Sequence, residues 1–155
     1  MIDIEQFRDL IISPTLASIG LYSKSAERLI LATALAESNL TYIKQIGGGP
    51  ALGLFQMEPA TERDIWDHYL NRSDRKELKK RVKALKFDLD GQMIGNLYYA
   101  TAMCRIHYFR IKEKLPKPDD VSGMARYWKK YYNTPVGAGT EQKFIDRTRV
   151  IFQHY

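Results

Sequence analysis

The chain has 155 residues, 45% of them hydrophobic and 27% charged, with a net charge of +6. That length supports one hydrophobic core of ordinary size, and the composition excludes a disordered chain, a collagen-like chain and a disulfide scaffold. The one cysteine, Cys104, has no partner for an internal bridge.

In chain order the pattern is helical almost throughout. Ile4, Phe7 and Ile11 fall at i, i+3, i+7 and predict a short first helix ending near Ser13-Pro14, with Pro14 opening a second at its first turn. The N-terminus Met1-Ile2-Asp3-Ile4-Glu5 has neither a basic n-region nor a long apolar stretch, so it does not read as a signal peptide. Ser23 or Ser25 caps the next helix, which runs to about Asn39. Its segment Leu29 to Ala36 is apolar on every side. Such a helix is buried all round, and the run is too short to span a bilayer.

From Thr41 to Glu58 the helical period stops. Gly47-Gly48-Gly49-Pro50 and Gly53 are breakers, and the short runs Tyr42-Ile43 and Leu54-Phe55 predict a small β-excursion over residues 42–57. Pro59 restarts a helix that turns Ile65, Trp66, Tyr69 and Leu70 inward. Leu78, Val82 and Leu85 make the next segment amphipathic. It is also where the charge lies. Arg72 to Lys86 holds eight basic and two acidic residues, a net +6, so the rest of the chain is neutral. Such a patch is either a solvated face or a contact for an acidic polymer: nucleic acid, lipid headgroups or a cell-wall component. Ile94, Tyr98, Ala102, Ile106 and Phe109 predict a long helix over about 88–112. Asp119 or Asp120 caps a helix ending near Asn133. Phe144, Ile145, Thr148, Ile151 and Phe152 mark the last one. No repeat, low-complexity tract or linker interrupts a mostly α single domain over 1–155.

Glu37 is the first candidate for chemistry. It follows Ala36 where the apolar run gives way to Ser38-Asn39, and its helical neighbours Thr33, Ala34, Leu40 and Thr41 include no cation. A carboxyl at the rim of an apolar core resists ionisation, so its pKa rises. A carboxylic acid kept protonated near neutral pH suits general-acid cleavage of a glycosidic bond. The plainer alternative is a helix-terminal Glu exposed to water. Further on, the Gly-rich turn from Gly47, a short apolar stretch from Gly53, sixteen residues past Glu37, and Gln56 precede Pro59. Glycine lets a backbone approach a ligand closely, and Gln56 offers both a donor and an acceptor. His68, His107 and His154 form no ligand pattern, and Cys104 reads as a small core residue, so no metal and no cofactor are predicted.

Glu37-Ser38, then Gly53-Leu54-Phe55-Gln56, then Pro59-Ala60-Thr61 resemble the Glu-Ser, Gly-Leu-Met-Gln and Pro-x-Thr signatures of the soluble lytic transglycosylase family. That family belongs to the lysozyme-like superfamily, with the goose-type lysozymes. Asn96-Leu97-Tyr98-Tyr99-Ala100 is similar to its Asn-containing helix. Tyr132-Asn133-Thr134-Pro135-Val136-Gly137 is similar to its Tyr-Asn element. The matches come in family order over about residues 25–137. Phe55 departs from the family's common Met. Ala125-Arg126-Tyr127 also resembles the family's Ala-Ala-Tyr, which would place Trp128 where Asn is expected. Tyr127 and Tyr132-Asn133 therefore stand as alternatives, and the wording around Trp128 looks most like phage-encoded members.

The resemblance implies a lysozyme-like fold and cleavage of the MurNAc–GlcNAc bond in peptidoglycan, with Glu37 catalytic and a 1,6-anhydro product. Substrate would be held by Ser38, Gly53, Leu54, Phe55, Gln56 and the Tyr/Asn element. Glycan strands are the expected partner, with phage virion or tail proteins beside them. No nucleic acid and no membrane span are expected. The protein would be made in the host cytoplasm without a signal peptide and brought to the wall by a virion or at lysis. The alternatives are a hydrolytic muramidase, whose second carboxylate would come from Glu58, Glu62 or Asp64, a small basic helical nucleic-acid-binding protein, and a wall-binding module without activity.

Overall fold

A computed structural model describes residues 1–134 and 137–155. The described chain is mostly helical. Helix α1 covers residues 4–18 without a break. It begins as an α-helical turn, Ile4–Gln6, widens into a π-helical stretch, Phe7–Ile12, and returns to α-geometry over Ser13–Ser18. The predicted boundary at Pro14 is therefore a widened turn. Proline has no N–H and its ring collides with the carbonyl four residues back. Here the Ser13 N–H reaches five residues back to Arg8, which opens the ladder just before the ring.

Helix α2, Lys24–Ser38, starts at Ser23, whose Oγ accepts from the Ala26 N–H at 3.0 Å. Residues 29–35 are all buried, as an apolar helix at the centre of a core must be. It packs against α1, against α6 (Leu97–Phe109) and most extensively against α8 (Glu141–His154). Helix α3 runs from Pro59–Ile65 into a π-helical end, Trp66–Leu70. A 3₁₀ turn, Ser73–Arg75, leads into the basic helix α4, Lys76–Lys83, which buries Val82 and half-buries Leu78; Leu85, just past its end, is half-buried as well. Helix α7 is Val121–Trp128 with a π-helical extension, Lys129–Asn133; its cap is Asp120, whose Oδ1 accepts from the Gly123 N–H at 2.9 Å.

Two further expectations are corrected. The long helix over 88–112 is two: α5, Gln92–Gly95, and α6. Asn96 separates them because its backbone is extended and its Oδ1 caps α6 at the Tyr99 N–H, 3.0 Å away. The β-excursion reduces to isolated antiparallel bridges, Lys44 with Leu52 and Leu52 with Met57, and no sheet forms among the described residues. Leu54 and Phe55 lie in a turn whose ends, Gly53 and Gln56, have φ of 76° and 48°. Their carbonyls accept from side chains instead of a strand: from Ser38 Oγ at 2.7 Å and from the Tyr132 hydroxyl at 2.6 Å. Gly53 is required there, since a Cβ would stand 2.0 Å from the Met93 carbonyl oxygen. Among the described residues no helix is long and apolar enough to cross a membrane.

Candidate active site

The end of α2 is held by three side chains. A helix leaves its last carbonyls without intrahelical partners. Here Arg147 donates to the Ala36 carbonyl at 2.6 Å and the Tyr42 hydroxyl donates to the Glu37 carbonyl at 2.8 Å. Thr41 Oγ1 donates to the Ser38 carbonyl at 2.8 Å, and Asn39 ends the helix with φ of 52°. The backbone that carries Glu37 is thus fixed by α8 and by the start of the Gly-rich loop.

Glu37 opens onto a cleft of about 810 Å³ between the Gly-rich loop, the start of α3, the end of α7 and α8. Its Oε2 accepts from the Trp128 indole N–H at 2.9 Å. Burial pushes the carboxyl from 4.5 up to about 7; the Trp128 hydrogen bond and the positive field of Arg147 oppose the rise without cancelling it. At neutral pH the group is therefore divided between acid and carboxylate. It can give a proton and, once ionised, take one.

The residues singled out by sequence divide in two. Glu37, Gln56, Tyr132 and Asn133 line the cleft together. Ser38, Gly53, Leu54, Phe55 and Tyr127 do not: they are buried in the protein interior. Ser38 is fully buried; its one hydroxyl hydrogen goes to the Leu54 carbonyl at 2.7 Å, with the Ala34 carbonyl at 3.1 Å, and its oxygen accepts from the Leu40 N–H, so the group ties α2 to the 53–56 turn and is closed to a substrate. Leu54 and Phe55 are core residues. Tyr127 is buried, with its hydroxyl on the Glu113 carbonyl at 2.9 Å. Between the alternatives, Tyr132 is the tyrosine at the cleft, although its hydroxyl goes to Phe55 and not to Glu37. Pro135 and Val136 of the Tyr-Asn element lie outside the described residues. Gln56 Nε2 donates to the Gly53 carbonyl at 3.0 Å, while its Oε1 has no bond among the described residues.

No protein-family model, no curated protein and no solved structure matches this chain.

Sequence reasoning missed three contributors. Trp128 appeared only as a departure from a motif, yet its indole is the direct partner of Glu37, and its ring packs on Phe144 at 5.3 Å. Arg147 sits on the polar side of an amphipathic helix, where nothing local marks it. His107 borders the cleft and stands edge-on to Tyr132 at 5.0 Å. Burial and the neighbouring Arg110 push it down to about 4, so it is neutral. Arg110 can only donate, so Nδ1 accepts from it and Nε2–H donates to the Tyr131 carbonyl. That fixes the π-helical turn carrying Tyr132. Of the three candidate second carboxylates, only Glu58 lines the cleft. Glu62 accepts from the Tyr99 hydroxyl at 2.5 Å, and Asp64 is paired with Arg110 and His68. Among the described residues, no group of three or more His, Cys, Asp or Glu side chains is placed to hold a metal.

Proposed function

We propose that the chain is a peptidoglycan-cleaving enzyme, a lytic transglycosylase with a lysozyme-like fold acting on the MurNAc–GlcNAc bond. One observation carries the reading: the Glu37 carboxyl opens onto a large cleft and is pushed up to about 7 by burial. The ordered motifs around Glu37, Gln56 and Tyr132 add to it.

Glu37 in its acid form protonates the glycosidic oxygen, and the bond to the muramic acid C1 breaks as the leaving sugar departs. The resulting carboxylate removes the proton from the C6 hydroxyl of the same muramic acid, whose oxygen closes onto C1. Glu37 regains its proton and the product is a 1,6-anhydro sugar. No water is consumed and no second carboxylate is needed, unlike paired-carboxylate hydrolysis. Gln56 lines the cleft, and its Oε1, the end left free by the Gly53 bond, would accept from a sugar hydroxyl or an N-acetyl N–H. Trp128 keeps the Glu37 carboxyl in one orientation through both proton transfers.

Glu58 at the same cleft favours a second reading, a hydrolytic muramidase with Glu58 activating water. Digestion of purified peptidoglycan followed by mass spectrometry tests both. Transglycosylation leaves muropeptides one water lighter, without reducing muramic ends; hydrolysis leaves reducing ends throughout. Glu37→Gln should lose ~10²–10⁴-fold in rate. Residual activity above a few per cent removes Glu37 from the role. Delivery in a virion, through tail-associated partners, follows from the phage-like wording around Trp128, with release at lysis as the other route. Immunoblotting of purified particles separates them.

A further inference from the structure

The cleft walls carry charge unevenly. The α8 wall contributes two cations one turn apart, Lys143 and Arg147, while Glu58 stands at the start of α3. Lys143 is exposed and its ammonium makes no hydrogen bond or ion pair among the described residues; its backbone N–H alone is engaged, as the first donor capped by Thr140. Arg147 is held differently. One of its terminal nitrogens is fixed on the Ala36 carbonyl, which pins the guanidinium at the rim of the cleft beside Glu37 and leaves its other N–H groups unengaged among the described residues. A guanidinium pinned in this way presents a planar donor fork at little further entropic cost, and an ammonium one turn away adds a mobile point charge. Neither gives or takes a proton in the steps assigned to Glu37.

Resting on the transglycosylase reading, we propose that Lys143 and Arg147 form a carboxylate-recognition corner that selects glycan strands by the acidic groups they carry. A neutral sugar polymer gives these cations nothing to pair with. A peptidoglycan strand does, from one of two sources: the carboxylates of the stem peptide, or the lactyl carboxylate of a muramic acid whose peptide has been removed. Either source brings the same chemistry, an sp² carboxylate able to take two parallel N–H bonds. Glu37 in its acid form does not compete for the cations. The corner therefore reads the substituent while the carboxyl acts on the bond.

The test uses the full chain with three purified strand types: peptide-bearing, peptide-free with the lactyl group intact, and peptide-bearing with all carboxyls amidated by carbodiimide and ammonia. Lys143→Gln should raise KM for the acidic strand type about two- to fivefold, as expected for one screened charge contact. It should leave kcat within twofold and leave amidated strands unaffected. Lys143→Glu should raise KM further, and Lys143→Arg should restore it. Whichever of the two acidic strands shows the effect identifies the source. Lys143 takes no part in the packing described above, so circular dichroism and the melting temperature should match those of the native protein. Native enzyme that cleaves acidic and amidated strands with equal KM, or a Lys143→Glu variant indistinguishable from it, overturns the proposal and leaves the transglycosylase reading standing. Failure of the native protein to cleave any strand overturns both.

Discussion

Replacing Glu37 by Gln should make the protein more stable at alkaline pH while destroying its activity. The carboxyl titrates at about 7 in the folded chain against 4.5 unfolded, because burial disfavours its charged form. Below about pH 4.5 the group is protonated in both states and contributes no penalty. As pH rises through 4.5 the unfolded chain releases its proton first, and stability falls until the folded carboxyl ionises near 7. Each tenfold change in proton affinity is worth about 1.4 kcal/mol, so the full penalty at pH 8 is about 3 kcal/mol. Gln keeps the shape and still accepts from the Trp128 indole, but it never ionises. For a chain of this size the gain corresponds to about 6–12 °C in Tm. Thermal melts of both proteins at pH 4 and pH 8 measure it. The Tm difference should be near zero at pH 4 and reach that range at pH 8. A difference that is the same at both values would show that Glu37 is not held in its acid form by the fold, and the acid role would lose its physical basis.

Trp128→Phe removes the N–H that favours the ionised form of Glu37, so the alkaline limb of the kcat/KM profile should move to higher pH; a limb that stays put would mean the indole does not set the acid. Ser38→Ala should cost about 1–3 kcal/mol in urea unfolding, by leaving the Leu54 carbonyl and the Leu40 N–H without their partner, with KM little changed if the hydroxyl is structural. Gly53→Ala places a methyl 2.0 Å from the Met93 carbonyl oxygen at a φ of 76°, and should lower Tm and disturb the 53–56 turn, read as loss of glycan binding. Neutralising Lys76, Lys79, Lys80 and Lys83 on α4 should weaken binding to whole walls more than to short soluble glycans, and added salt should mimic the variant over a screening length of about 8 Å; unchanged sedimentation with walls in both conditions would make the patch a solvated face.

Local sequence determined the helices and much of their framing. The run at 29–36, apolar but for Thr33, the capping residues before α2 and α7 and the periodic apolar residues of α4 and α8 each act within a turn or two of the chain, so their pattern specifies the element, while the structure chose Ser23 over Ser25 and Asp120 over Asp119 as caps. The same logic put Glu37 at the end of a buried helix and predicted its raised pKa, because burial of the preceding residues is itself a local property. Tertiary structure decided the rest. Trp128 meets Glu37 across 91 positions and Arg147 meets Ala36 across 111, and no periodicity encodes which distant side chains converge. Leu54 and Phe55 looked like a strand because apolar pairs look alike in either setting. What makes them a turn is the positive φ of Gln56, a residue type that rarely takes one, with side-chain donors from Ser38 and Tyr132 on their carbonyls. Ser38 and Tyr127 carry the right functional groups for a site, but burial turned both into scaffold, since a polar group inside a core must spend its hydrogen bonds on the chain around it.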